Sequence, residues 1–413
     1  MKGTSMLKFL REELNLTKAF CFLFFFNSSL VGQEVSVAEL LKFLHQSQEI
    51  QMRKDQVTNL RKTVVDDRPR EPWEITWSRE NQHGSETEEF LSIQRTFPTP
   101  ALRKAHQQLA RIESEQIDLD FSRYMKSLEL ELLEKFYDGL RLQKEIEIRS
   151  NYLGEFDRLV QKLAFRVQEG IGPAYDLRRL RQQQILEKEI IQSLKTDYRS
   201  VLKSLEILCL DTVSITALQG DLLPQWNDAS LERALLTLES NQDLEFDRLE
   251  LNRLIQKQAE LKKRFISNFS LEIGAKRIKN GSQSSKGNIV GLSAPLSIGD
   301  PFAVRRVRLS TQARLTKMEY ERKRVSLIKK LDNLSYVIVQ RISQSNGMRK
   351  SLIEPASQLS QVKVQAYRNG GGSLADLLDS RRHLLESYLQ THEISFAARK
   401  AWLKFGRLLT GVD

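Results

Sequence analysis

Apolar and polar residues alternate along two pairs of short runs, while the long stretches between them carry apolar residues three, four and seven apart. In the first pair, "PWEITWSRE" (72–80) sets Trp73, Ile75 and Trp77 against Glu74, Thr76 and Ser78. "FLSIQRTF" (90–97) follows after the polar loop "NQHGSETEE". In the second pair, "NFSLEIGAKR" (268–277) and "NIVGLSAPLSI" (288–298) flank "IKNGSQSSKG". Period two predicts strands, and runs of this length suit a tilted membrane-spanning strand. The same alternation suits a half-buried hairpin of a soluble domain, and the pattern alone does not choose.

The remaining chain predicts helices over about 36–68, 101–168, 175–210, 302–366 and from Ser373 onward, with another helical run opening near Asp228. Leu374, Leu377, Leu378, Leu384, Leu385 and Leu389 step by coiled-coil intervals, the signature of long helices packed side by side. A helix of roughly 65 residues is about 100 Å long.

The chain is duplicated. A shift of 200 residues lays "VQEGIGPAYDLRRLRQ" on "YRNGGGSLADLLDSRR", with Gly170 on Gly370, Gly172 on Gly372, Asp176 on Asp376 and Arg181 on Arg381. So large a period means a doubled domain rather than a solenoid of small units. The first repeat covers 33–211, a linker with Pro224 covers 212–228, and the second repeat covers 229–413. Each repeat ends in two helices joined at a tip, 168–175 and 367–374. Glycine allows the positive-φ turn that reverses the chain, which accounts for Gly170, Gly172, Gly370, Gly371 and Gly372. Pro173 then fits the first helical position and Ser373 an N-cap, with Asp376 in the capping-box position. Capping thus accounts for Asp176 and Asp376 without further chemistry, but not for Asp379.

Composition narrows the function. Charged residues make up 28% of the 413, and the net charge is +11. Basic and acidic residues are interleaved, without a basic block carrying aromatics, which argues against nucleic acid as a partner. Lys2, Lys8, Arg11 and Lys18 precede the apolar run "AFCFLFFFNSSLVG", which predicts a signal peptide over 1–32. Cys21 lacks the small residues of a lipidation box before it, and Cys209 is then the one cysteine of the mature chain. The histidines, His45, His83, His106, His383 and His392, fall at no metal-ligand spacing, and no P-loop or nucleophile elbow is present. The chain reads as a non-enzyme that needs no cofactor. With no further long apolar run, any membrane span has to be made of strands. Four strands are too few to close a barrel, whereas three copies would supply twelve.

In its doubled layout, in "VGLSAPLSIGD" and above all in its two tips, nearly the whole mature chain resembles the TolC-like outer-membrane efflux proteins. Their tip motif runs roughly Gly-x-x-Ser/Thr-x-x-Asp-Val/Leu-x-Asp. The resemblance implies a mainly α fold of long antiparallel hairpins forming an α-barrel. It also implies four strands per chain that close a twelve-stranded β-barrel as a homotrimer. The implied partners are outer-membrane lipid, a periplasmic adaptor protein and an inner-membrane pump of the RND, ABC or MFS type. Asp376 and Asp379 match the acidic rings at the periplasmic entrance, and Tyr367 and Asp176 match a gate latch. The tip residues Gly170, Gly172, Gly370, Gly371, Gly372 and Ser373 match the adaptor-contacting ends. An arginine that forms a second latch in some members falls on Gly372, with Arg368 as its nearest substitute. "SIQRTFPTP" leans toward the heavy-metal and cation branch. The competing reading is a periplasmic coiled-coil adaptor or scaffold without a barrel.

Overall fold

The computed structural model describes residues 33–66, 72–82, 86–171, 173–209, 214–227, 229–264, 268–295, 299 and 301–411. The signal-peptide reading over 1–32, Gly172 and His83 lie outside the described residues. In order, the elements are β1 (Gln33–Ser36), α1 (Val37–Gln46), α2 (Gln48–Asp66), β2 (Trp73–Gln82), β3 (Glu86–Pro98), α3 (Pro100–Gln168) and α4 (Ala174–Leu208). Then follow β4 (Ile215–Gln219), α5 (Ala229–Leu236), α6 (Gln242–Lys263), β5 (Asn268–Asn280) and β6 (Gln283–Ser293). The chain ends in α7 (Ala303–Met348), a π-helical turn (Arg349–Ile353), α8 (Glu354–Arg368) and α9 (Leu374–Thr410). The fold is mainly helical, with long antiparallel hairpins and a small β part.

The chain forms two compact units. One comprises residues 53–124 and 237–328 and holds a four-stranded antiparallel sheet in the order β2-β3-β5-β6. The register sorts its side chains cleanly. One face carries the rows Trp73–Arg95–Leu271–Leu292, Ile75–Ile93–Ile273–Val290 and Trp77–Leu91–Ala275–Asn288. Phe97 stacks on Phe269 at one end of this face, with ring centroids 5.4 Å apart. The row Arg79–Glu89–Arg277–Lys286 closes it at the other. The opposite face carries Glu74–Gln94–Glu272–Gly291 and Thr76–Ser92–Gly274–Ile289. A Cβ on Gly274 would come within 2.9 Å of the Leu91 carbonyl and the Ser92 side chain, so only glycine fits opposite Ser92.

The strands run further than their alternation suggested. The polar segments 81–82 and 86–89 and nearly all of 278–287 continue the ladder rather than forming loops. Backbone pairing needs no apolar side chain, so it outlasts the pattern until the turn at Gly281, whose φ is 57°. At the other end β6 stops at Ser293, short of Ile298. In the same unit, Asn241 caps α6 by accepting from the amides of Asp243 and Leu244, both at 3.1 Å.

The other unit comprises residues 33–52, 125–236 and 329–411 as described. Its hairpin partners lie symmetrically about the tip glycines. Arg149 meets Glu187 at 3.3 Å and Gln143 meets Tyr198 at 2.5 Å about Gly170, while Ser345 meets Ser395 at 2.7 Å about Gly370. Toward the tips, Tyr152, Phe156, Leu163, Leu180, Leu377 and Leu385 build a shared apolar core.

Two local readings are corrected here. The 36–68 run is two helices, because Ser47 caps the first with an extended backbone. The 302–366 run is broken by the π-helical turn ahead of Pro355, whose missing N–H and ring do not fit a regular turn. The stretch between the repeats holds a strand of its own. Its β4 pairs in parallel with β1, with Val35 opposite Leu218. Arg399 on α9 fixes the following segment by donating to the carbonyls of Asp221, Leu222 and Leu223 at 2.8, 3.0 and 3.1 Å. Cys209 is buried, its thiol 4.0 Å from the Leu40 carbonyl. Burial pushes that thiol up to about 11, which leaves it unreactive at neutral pH.

Candidate functional site at the hairpin tips

The two tips share one backbone solution, bond for bond. At the first, Gly170 N–H donates to the Val167 carbonyl (3.1 Å) and Ile171 N–H to the Arg166 carbonyl (2.9 Å). At the second, Gly370 donates to Tyr367 (3.2 Å) and Gly371 to Ala366 (3.0 Å), each bond displaced by 200 residues. This pair of bonds is the Schellman motif, which satisfies the last carbonyls of a helix and needs a left-handed residue. That residue is Gly170 (φ 74°) in one repeat and Gly370 (φ 77°) in the other.

The remaining glycines have other reasons. Gly371 has no positive φ and only distant neighbours. Gly372 sits in a close approach: a Cβ there would lie 3.1 Å from the Tyr367 nitrogen and 3.3 Å from Ala366, closer than an ordinary contact. The positive-φ explanation therefore applies to one described glycine per tip.

The capping residues also divide. Ser373 caps α9, its Oγ accepting from the Asp376 amide at 3.0 Å. Pro173 stands one position before α4 rather than within it, and supplies no side-chain cap. The Asp376 carboxylate, free of any capping-box bond, lies 3.6 Å from the Lys363 ammonium of α8. Both groups are partly solvated, so the pair contributes little to stability, but it places a positive charge beside the expected acidic ring.

Asp379, exposed one turn further along α9, lines a cleft of about 430 Å³ with Arg149, Tyr152, Arg179, Glu187 and Arg382. Charges of both signs meet there: Arg149 pairs with Glu187, and Arg382 with Glu386 at 2.8 Å.

Tyr367 and Asp176 do come together electrostatically, without a direct hydrogen bond between them. Partial burial, then the Asp176 charge, hold the Tyr367 hydroxyl above its usual range, and Arg166 opposes the rise. The phenol is thus neutral at ordinary pH, within the electrostatic reach of a carboxylate and a guanidinium. Arg368 makes no ion pair among the described residues. Sequence reasoning missed Arg166 and Lys363. Their only signal is position, since each lies within about two turns of a tip glycine on the incoming helix.

Among the described residues no group of histidine, cysteine and carboxylate side chains is placed to hold a metal ion. No helix there is long and apolar enough to cross a membrane.

No family model and no curated protein matches the chain. Solved structures do. CusC, described in terms of folding and transmembrane channel formation, aligns at TM-score 0.70 and 13% identity, over 93% of this chain and 95% of that chain. The outer membrane protein VceC of Vibrio cholerae aligns at 0.67 and 11%, over 91% and 96%. The MtrE outer membrane channel of Neisseria gonorrhoeae, in its open state, aligns at 0.61 and 12%, over 91% and 89%. At these identities the likeness is one of architecture, and it spans nearly the full length of both partners: the chain has the fold of these outer-membrane channel proteins.

Proposed function

We propose that the chain is the outer-membrane channel of a tripartite efflux or secretion system. As a homotrimer it would pass substrates from an inner-membrane pump and periplasmic adaptor to the exterior. The carrying observation is the sheet. Its apolar face extends from the Phe97–Phe269 row to the Trp77 row, three two-residue steps or about 20 Å of strand. This approaches the height of a lipid-facing band, about 25 Å in such barrels. The other face is mainly polar, as a lumen requires. Each end of the sheet, β2 and β6, is paired on one side only among the described residues. Unpaired backbone in lipid costs several kcal/mol per group, so neighbouring copies must complete the sheet.

A second surface supports lateral assembly. Val304, Val307, Leu315, Met318, Val325 and Tyr336 are all exposed on α7. At 100° per residue they fall within about 80° of arc, a single seam of the kind that packs against another helix. The tips then form the periplasmic entrance, with Tyr367 and Asp176 as the latch and Asp376 and Asp379 as the acidic constriction.

The test is reconstitution of the purified mature chain into planar bilayers, with cross-linking to count subunits. Stepwise conductance from a three-subunit species is expected. Ile273→Asp, on the apolar face, should block insertion, whereas Thr76→Asp on the polar face should not. A water-soluble monomer without conductance overturns the reading.

A further inference from the structure

The sheet sorts its charges by face at one end only. α3 opens at Pro100 and α6 closes at Lys263, so the helices adjoin the end with Phe97 and Phe269. At the far end β2 leads into β3 and β5 into β6. There, on the apolar face, the row Arg79–Glu89–Arg277–Lys286 is followed by Asn81–Thr87–Lys279–Ser284, four cations against one carboxylate. On the opposite face the outermost rows carry Glu80, Glu86 and Glu88, and their one cation, Lys276, is paired with Glu88. Keeping a hairpin end soluble calls for charge, but not for cations on one face and carboxylates on the other. At the helix end of the apolar face the one basic residue of its row, Arg95, lies over the Trp73 and Phe97 rings at 4.9 and 5.4 Å.

The basic cluster is unfavourable as it stands. Arg277 and Lys286 are directly opposite on neighbouring strands, where like charges repel. Arg277 Nε donates to Ser284 Oγ at 3.2 Å, which anchors one edge of the guanidinium. Lys279 follows on the same face, and both lysines are exposed, without an ion pair among the described residues. Glu89 is opposite Arg277 in register, yet its carboxylate lies 4.0 Å from Arg79 Nε.

We propose that Arg277, Lys279 and Lys286, with Arg79 beside them, bind the phosphate groups of the phosphorylated glycolipid of the outer leaflet, lipopolysaccharide. The inference rests on the channel reading and adds a lipid ligand at the outer rim of the barrel. The first basic row lies one two-residue step, about 7 Å, beyond Trp77, where an apolar band gives way to headgroups. A phosphate between Arg277 and Lys286 replaces their repulsion with two charge-assisted contacts. Acyl chains then continue over exposed Trp77, Ile273 and Val290 on the same face. From Arg79 to Lys286 the cations span three strand spacings, about 14 Å, which suits a headgroup with two separated phosphates better than a single one. The carboxylates of the other face repel the same headgroup.

The test is retention of lipid by the mature oligomer in detergent, read by native mass spectrometry. The probes are lipid A, lipid A stripped of its phosphates, and phosphatidylglycerol. Lipid A should bind at least about tenfold more tightly than either of the others. Arg277→Ser with Lys279→Ser and Lys286→Ser should weaken its binding at least about tenfold. Lys276→Ser, on the other face of the same strand, should leave it unchanged. Arg277→Lys with Lys286→Arg keeps the charge and should keep the lipid. Equal binding of the stripped lipid or of phosphatidylglycerol, displacement by millimolar inorganic phosphate, or equal loss from Lys276→Ser overturns the proposal. So does undiminished binding by the triple variant. The comparison of intact with stripped lipid on the parent chain decides the matter even if the triple variant does not assemble. Bilayer conductance of the same preparations separates the two readings: conducting pores that retain no lipid A refute the basic rim alone, whereas a monomer without conductance refutes the channel.

Discussion

Gln143 closes the open side of β4 through a single backbone unit, that of Leu218. Its Nε2 donates to the Leu218 carbonyl at 3.0 Å and its Oε1 accepts from the Leu218 amide at 2.8 Å. The amide side chain thus stands in for a neighbouring strand, since β4 has β1 on its other side. Tyr198 donates to the same Oε1 at 2.5 Å, and burial pushes its hydroxyl up to about 12, so it remains a neutral donor. Gln143→Leu strands a donor and an acceptor beside a buried residue. A loss of about 2–4 kcal/mol is expected, read as earlier thermal unfolding and faster hydrogen exchange at the Leu218 amide. Unchanged protection there would show that the strand edge does not depend on this side chain.

Arg399 should resist conservative replacement. Its guanidinium serves three successive carbonyls while lying 4.3 Å from the Tyr137 ring centroid and 5.1 Å from that of Trp402. An ammonium keeps the charge but not the planar fork. Arg399→Lys should therefore open the segment 220–223 to proteolysis almost as readily as Arg399→Ala. Full protection in the lysine variant would mean that charge alone holds the linker.

His392 should make the helical unit acid-sensitive. Burial lowers its pKa, and the Arg141 carbonyl at 2.9 Å only partly offsets this. The folded value lies below the unfolded one, so above about 6.5 the group contributes no pH slope. As pH falls through 6.5, the unfolded chain takes up a proton that the folded chain resists, and stability declines until the folded value is passed. His392→Gln keeps a donor and removes the proton site. Between pH 7 and 5 the melting temperature of the variant should fall less than that of the parent, and parallel declines would count against His392.

The latch should fail open. Tyr367→Phe removes the hydroxyl on which the Asp176 and Arg166 charges act, and closed-state conductance in bilayers should rise. Because the phenol is neutral below pH 10, the parent's leak should not change between pH 6 and 9 on its account. A variant as tight as the parent would remove Tyr367 from the gate.

Lys363 should set how acidic the entrance is. It stands 3.6 Å from Asp376, so Lys363→Ala should strengthen block by multivalent cations. Asp376→Ala combined with Asp379→Ala should abolish that block. Block that persists in the double variant would place the cation site elsewhere in the duct.

The sequence alone determined whatever repeats or alternates locally. The offset of 200 residues located both tips, because a Schellman turn needs a left-handed glycine and Gly170 and Gly370 are read directly from the chain. Period two identified all four strands of the sheet, since a register with one apolar side forces alternation. Tertiary structure decided what depends on distant neighbours. The β1–β4 pairing joins residues about 180 apart in a segment with no pattern of its own, and Arg399 reaches carbonyls 176 to 178 positions away. Likewise, Lys363 meets Asp376, and the charges of Asp176 and Arg166 reach the Tyr367 hydroxyl, only once the helices are packed. A turn leaves its mark in the residues that make it, whereas an ion pair between two helices leaves none until the helices are packed.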